Sequence, residues 1–174
     1  MPQLRDPNFR RSVMLLVHHD ESGTFGLVLN RALDLSAQSL CETLELRWGG
    51  NLDDSIHWGG PVAANTGWVL FRPDRVREEQ PEGVTKVMDD SYFAGSLEVL
   101  REVAADPPSQ LKLYLGYAGW GPGQLEEEMT DGAWLVAPAT NEIVFGVDCD
   151  DMWDHVVRGL GIDPATLISA QGLQ

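Results

Sequence analysis

A chain of 174 residues with 43% hydrophobic content fits one globular domain (residues 1–174), long enough to bury a core without disulfide or metal staples. Its 27 acidic residues against 12 basic ones leave a formal net charge of −15, which opposes the phosphate contacts behind nucleic-acid affinity and disfavours direct DNA binding. The early apolar run Val13–Val17 stops at His18-His19-Asp20, far short of the roughly 20 residues of a membrane span, and no leader pattern opens the chain, so a cytoplasmic protein without membrane contact is expected.

In chain order, Ser12–His18 and Thr24–Asn30 are apolar runs around Asp20-Glu21-Ser22-Gly23, which reads as a hairpin. Ser36 is placed to cap a helix to about Leu46. Ile56–Val62 and Gly67–Arg72 read as short strands around a tight turn, and Val84–Met88 as another strand. Ser91 is read as the cap of a helix carrying Leu97, Leu100, Val103 and Ala104 on one face, ended by Pro107-Pro108. Leu111, Leu113 and Leu115 alternate as in a half-buried strand. A glycine-rich turn follows, then a helix from about Pro122 to Thr130. Trp134–Ala137 and Ile143–Val147 read as a second hairpin, and Asp150–Leu160 as a last helix with Gly161 as a left-handed cap and Ile162 as its apolar follower. Strands joined by hairpins outnumber helices, which predicts an α+β fold with largely antiparallel pairing and about four helices.

Chemistry is sparse. The stretch from Gly116 to Glu126 holds four glycines, Trp120 and Pro122, a composition that permits unusual backbone and close approach. Gly119, Gly121 and Gly123 give G-x-G-x-G, which is not the spacing of a dinucleotide fingerprint, and no G-K-[ST] follows. Glu126, Glu127 and Glu128 would oppose a phosphate there. Tyr117 and Trp120 are either anchors for a partner or ligand, or buried packing, with Gln124 the polar reader if a groove exists. Asn30-Arg31 ends a strand and Gly59-Gly60-Pro61 follows another; each is a cap or turn, or part of the same groove, with Arg31 chemically able to pair with Glu126.

Other clusters favour structural roles. His18 and His19 are adjacent on a strand and point to opposite faces, and no H-E-x-x-H exists, so no metal or other cofactor is expected. His57 is either a structural histidine or an acid/base. Asp89-Asp90 and Asp148 with Asp150-Asp151 are carboxylate clusters without a calcium-loop pattern, the latter fitting charge at the start of the last helix, and Arg5, Arg10, Arg11 and Arg72, Arg75, Arg77 read as solvated groups able to meet an anion or an acidic partner. Cys41 and Cys149, without C-x-x-C, are expected to be free thiols.

The stretch from Gly116 to Met129, GYAGWGPGQLEEEM, resembles the signature of the bacterial YqgE/AlgH family. Asp6-Pro7-Asn8-Phe9 before Ser12–Val17, Gly26–Arg31, Gly59-Gly60-Pro61-Val62, Gly67-Trp68-Val69-Leu70 and Trp153 to Asp163 follow in the family's order. Ala32 stands where that family usually has proline, and Phe71 where a histidine is common. The resemblance implies a folded, partly barrel-like sheet, no established activity, and a regulatory association through protein or small-ligand contacts. With the residues, it favours a non-catalytic binding or regulatory protein using a groove of Asn30, Arg31, Gly59, Gly60, Pro61, Tyr117, Gly119, Trp120, Gly121, Gln124 and Glu126 to bind a protein partner or small molecule. The alternative is a small hydrolase or transferase using His57, His18 or His19.

Overall fold

A computed structural model describes residues 9–74 and 82–169; Arg5, Asp6-Pro7-Asn8, Arg75 and Arg77 lie outside them. The elements run β1 (Met14–Asp20), β2 (Gly23–Val28), β3 (Ala32–Ser36), α1 (Ala37–Thr43), β4 (Ser55–Trp58), β5 (Val62–Arg72), β6 (Val84–Met88), β7 (Ser91–Ala94), α2 (Leu97–Ala105), β8 (Gln110–Trp120), α3 (Gln124–Thr130), a π-helical turn at Glu142–Gly146, α4 (Cys149–Gly159) and α5 (Pro164–Ser169). The class is α+β and the pairing antiparallel apart from β4 with β8, as the sequence predicts. The chain divides into two compact units, residues 32–117 and residues up to 31 together with those from 118 onward.

In the unit of residues 32–117, β8 is the central strand. It pairs antiparallel with β5 (Trp68↔Tyr114, Leu70↔Lys112) and parallel with β4 (His57↔Tyr114). The expected tight hairpin of Ile56–Val62 with Gly67–Arg72 is therefore absent: β8 accepts β4 on one edge and β5 on the other. Its two-sided pairing also explains why Tyr114 is buried beside Leu113, where alternation alone predicts one wet face. The core gathers Cys41 of α1, Ile56, Val69, Phe71, Leu113 and the α2 face Val99, Leu100 and Val103. Phe71, at the position where a histidine is common in the resembled family, is thus a core residue. Ala32 opens β3, an element the sequence reading lacks, by pairing with His57.

Caps follow local chemistry. Ser36 accepts a hydrogen bond from the Ser39 N–H at 3.1 Å, as predicted for α1. Ser91, read as the cap of α2, is instead fully buried in β7, which forms a hairpin with β6 across Asp89-Asp90. Ser96 caps α2 by accepting from Val99 N–H at 3.1 Å, because Gly95 breaks the strand just ahead of it.

In the other unit, β1 and β2 form the predicted hairpin. A bulge at Val17 lets Leu16 face Gly26 while His18 faces Phe25. Thr24, Phe25 and Gly26 then pair with the last residues of β8, Trp120, Gly119 and Ala118. Most of the glycine-rich stretch is thus strand, and the turn proper is Gly121-Pro122-Gly123. The helix after it starts at Gln124 rather than Pro122, since Gly123 takes a left-handed φ of 74°. The second predicted hairpin, Trp134–Ala137 with Ile143–Val147, does not form. Pro138 lacks the N–H a ladder needs, and Thr140 captures the next turn by accepting from Ile143 N–H and Val144 N–H, winding 142–146 into a helical turn. Helix α4 ends as expected: Gly161 N–H bonds the Arg158 carbonyl and Ile162 N–H the Val157 carbonyl, the Schellman pattern. No described helix is long and apolar enough to cross a membrane.

Candidate functional site

The glycine-rich segment is organised by one carboxylate. Glu128 Oε2 accepts from the indole N–H groups of Trp120 at 3.0 Å and Trp134 at 2.7 Å, and Oε1 accepts from the Gln124 amide at 2.9 Å. The other end of Gln124 accepts from Gly121 N–H at 3.0 Å. The polar atoms of Trp120 and Gln124 are therefore spent inside the segment. Trp120 is 7% exposed and packs edge-on against Trp134 at 5.8 Å, in a small core with Ala118 and Leu125. Of the two readings of this indole, packing describes it. Gly119, Gly121 and Glu126 remain exposed.

Asn30 is a clip. Its side chain accepts from Val13 N–H and donates to the Arg11 carbonyl, both at 2.9 Å, fixing the chain that leads into β1. Arg31 donates to the carbonyls of Arg10 and Asn30. It does not pair with Glu126, whose carboxylate faces the His19 ring at 3.7 Å. Arg11 pairs with Asp154 and lies over the Trp153 ring at 4.7 Å.

Two glycine motifs do meet within residues 32–117. Gly116 has φ +72°, and a Cβ there would fall 2.3 Å from the Gly60 carbonyl oxygen. Gly59 N–H bonds the Leu115 carbonyl at 2.8 Å. Gly59 and Gly60 are buried against β8, and Pro61 is exposed beside them. Tyr117 packs edge-on against Trp68 at 5.9 Å, and Trp68 stacks on Phe93 at 5.2 Å.

Trp68 belongs to a cavity that the sequence reading did not anticipate. It measures ≈ 340 Å³ and is lined by Leu40 of α1 and Leu44 just after it, Leu97 and Leu100 of α2, Asn65 to Val69 of β5, Gly95-Ser96, and Leu113 to Leu115 of β8. Leu44 and Leu97 are 40% and 46% exposed at this hollow. A Cβ on Gly95 would strike the Trp68 ring at 2.4 Å, so this glycine lets the indole lie where it does. The sequence signal was Gly67-Trp68 beside Gly95-Ser96, two motifs distant in the chain whose juxtaposition depends on β5 pairing with β7.

The acid/base candidates are structurally engaged. His57 is 9% exposed, tilted against Tyr114 at 5.3 Å, and its Nδ1 is buried with no hydrogen-bond partner. Burial, aided by the Lys112 charge, pushes its pKa down to about 4, so the ring is neutral at pH 7. His18 bonds Asp20 at 2.7 Å and His19 bonds Thr24 at 2.6 Å. Asp20 is held at about 2 by the Ser22 hydroxyl and N–H and then by His18. Asp90 pairs with Arg72, and Asp150 and Asp151 sit in the first turn of α4. Cys41 and Cys149 are free thiols. Among the described residues no group of three or more His, Cys, Asp or Glu could hold a metal ion.

Comparison with known proteins agrees along the whole chain. A family model described as AlgH-like matches residues 1–165. A UPF0301 protein of Myxococcus xanthus is 40% identical over 99% of this chain and 93% of its own length, and one of Ruegeria pomeroyi is 39% identical over 99% and 94%. The solution structure of the AlgH protein from Pseudomonas aeruginosa superposes with a TM-score of 0.77 at 34% identity, covering 98% of this chain and 89% of that one. A protein from Corynebacterium diphtheriae shares the fold at a TM-score of 0.74 and 24% identity, over 95% and 84%. With its signature segment, its fold and its relatives in agreement, the chain belongs to the AlgH-like family.

Proposed function

We propose that this chain is a non-catalytic binding or regulatory protein whose recognition site is the cavity of residues 32–117. The carrying observation is the lining: six leucines and Trp68 supply apolar surface, and Asn65, Thr66 and Ser96 supply a few neutral polar groups. That composition is the usual one for small-ligand sites, and the volume lies at the lower end of their roughly 300–1,000 Å³ range. Tyr117 packs edge-on against the indole, and Gly116, with its left-handed backbone and no Cβ, lets the Gly60 carbonyl approach β8. Gly59-Gly60 and Gly116 then serve the site by building its scaffold.

A histidine-based hydrolase or transferase has weaker support, because His57 is sealed against Tyr114 and the exposed His18 and His19 bond their own hairpin. Duplex DNA is disfavoured by the net charge of −15. A thermal-shift screen of uncharged small molecules tests the proposal, comparing wild type with Leu44→Glu and Leu97→Glu. Both leucines are partly exposed, so the variants are expected to fold. Compounds that raise the melting temperature of wild type and of neither variant support the cavity. Equal shifts in all three proteins, or none in any, count against it.

A further inference from the structure

One wall of the cavity is an irregularity of β5. Between the pairs Val62↔Tyr117 and Gly67↔Leu115, the strand carries residues 63–66 opposite Gly116 alone. Ala63 within this excursion sits at φ +47°, a left-handed conformation that residues with a Cβ seldom hold unless their surroundings enforce it. The excursion lifts Asn65 and Thr66 out of the ladder and onto the cavity, and neither side chain hydrogen-bonds any described residue. Among the described residues no charged side chain lines the space. An ion entering it would lose hydration without meeting a counter-charge, and an anion would also meet the repulsion of an acidic chain.

We infer that the cavity takes an uncharged small molecule with an apolar body and one amide, hydroxyl or carbonyl end, and that Asn65 and Thr66 read that end. The inference rests on the cavity being the recognition site. Leu40, Leu44, Leu97, Leu100 and Trp68 hold the body, while the amide of Asn65 and hydroxyl of Thr66 can each donate to or accept from the neutral end.

Octanamide, 1-octanol, octanoate and octylamine share one apolar chain and differ in the end group, which makes them suitable probes. Titrated into ¹⁵N-labelled protein at neutral pH, the two neutral probes are expected to shift the backbone amides of Asn65 to Trp68 and of Ser96 and Leu97. Octanoate and octylamine are expected to bind about tenfold more weakly or worse, for want of a counter-charge. Asn65→Ala and Thr66→Val are each expected to weaken octanamide about fivefold, the loss of one hydrogen bond. A charged probe that matches octanamide at these amides overturns the ligand class and leaves the cavity as a binding site. Unchanged octanamide affinity in both variants overturns the role of Asn65 and Thr66. Absence of shifts there with all four probes, up to their solubility, overturns the cavity reading itself.

Discussion

Glu128 receives three hydrogen bonds from side chains on either side of a turn, and two of the donors are indoles of a small apolar core. Removing the acceptor strands those donors, so Glu128→Ala is expected to lower unfolding free energy by about 2 kcal/mol in urea titrations. Gly116 illustrates a backbone constraint of a different kind. Gly116→Ala combines a left-handed φ with a clash against the Gly60 carbonyl and is expected to cost roughly 3 kcal/mol. Gly67→Ala, in open space and without positive φ, is expected to stay within about 0.5 kcal/mol of wild type. His57 makes stability depend on pH. Its folded pKa of about 4 lies below the unfolded value of 6.5, so the unfolded chain takes up the proton first. The stability it permits is fully present above about pH 6.5 and falls as pH drops toward 4, by up to about 3 kcal/mol. A neutral His57→Gln variant is expected to show a flatter stability profile across that window.

At the scale of elements, patterns local to the chain were legible and partners distant in it were not. Ser36 as a cap and Gly161-Ile162 as a helix stop need only their immediate neighbours, and both occur where the residues place them. Ser91 and Ser96 differ by five positions in a stretch where either could cap, and the choice is settled by β7 pairing with β5, information no local window holds. The same limit hid the order of β4, β8 and β5. Strands that are neighbours in sequence normally pair, yet β4 and β5 accept β8 between them, with Gly116 and Gly60 permitting the close approach. The π-helical turn was masked by Ile143-Val144-Phe145, a run whose β propensity is overridden by the Thr140 bonds. Thr140→Val is expected to loosen that turn, visible as faster amide exchange at Ile143 and Val144.

For the candidate site, most motif residues take part in the construction of the fold. Asn30 clips the lead into β1, Trp120 and Gln124 serve Glu128, and Gly59-Gly60 seats on β8. The cavity went unseen because its walls are leucines, which look like ordinary core until α1 and α2 leave Leu44 and Leu97 partly uncovered. On the scale of the whole molecule, a net charge of −15 repels anionic partners at long range, while recognition at the proposed cavity would rest on shape and neutral hydrogen bonding. Raising the salt concentration is therefore expected to leave the affinity of a neutral ligand nearly constant, as a calorimetric titration at two ionic strengths would register.

The most direct measurement is a map of amide chemical-shift changes produced by neutral small-molecule hits in the wild-type protein. Recognition at the cavity predicts that the changes concentrate at Asn65 to Val69, Gly95 to Leu97 and the Leu40 turn, and vanish in Leu97→Glu. Changes concentrated instead on Gly119 to Glu126, undisturbed by Leu97→Glu, would contradict it.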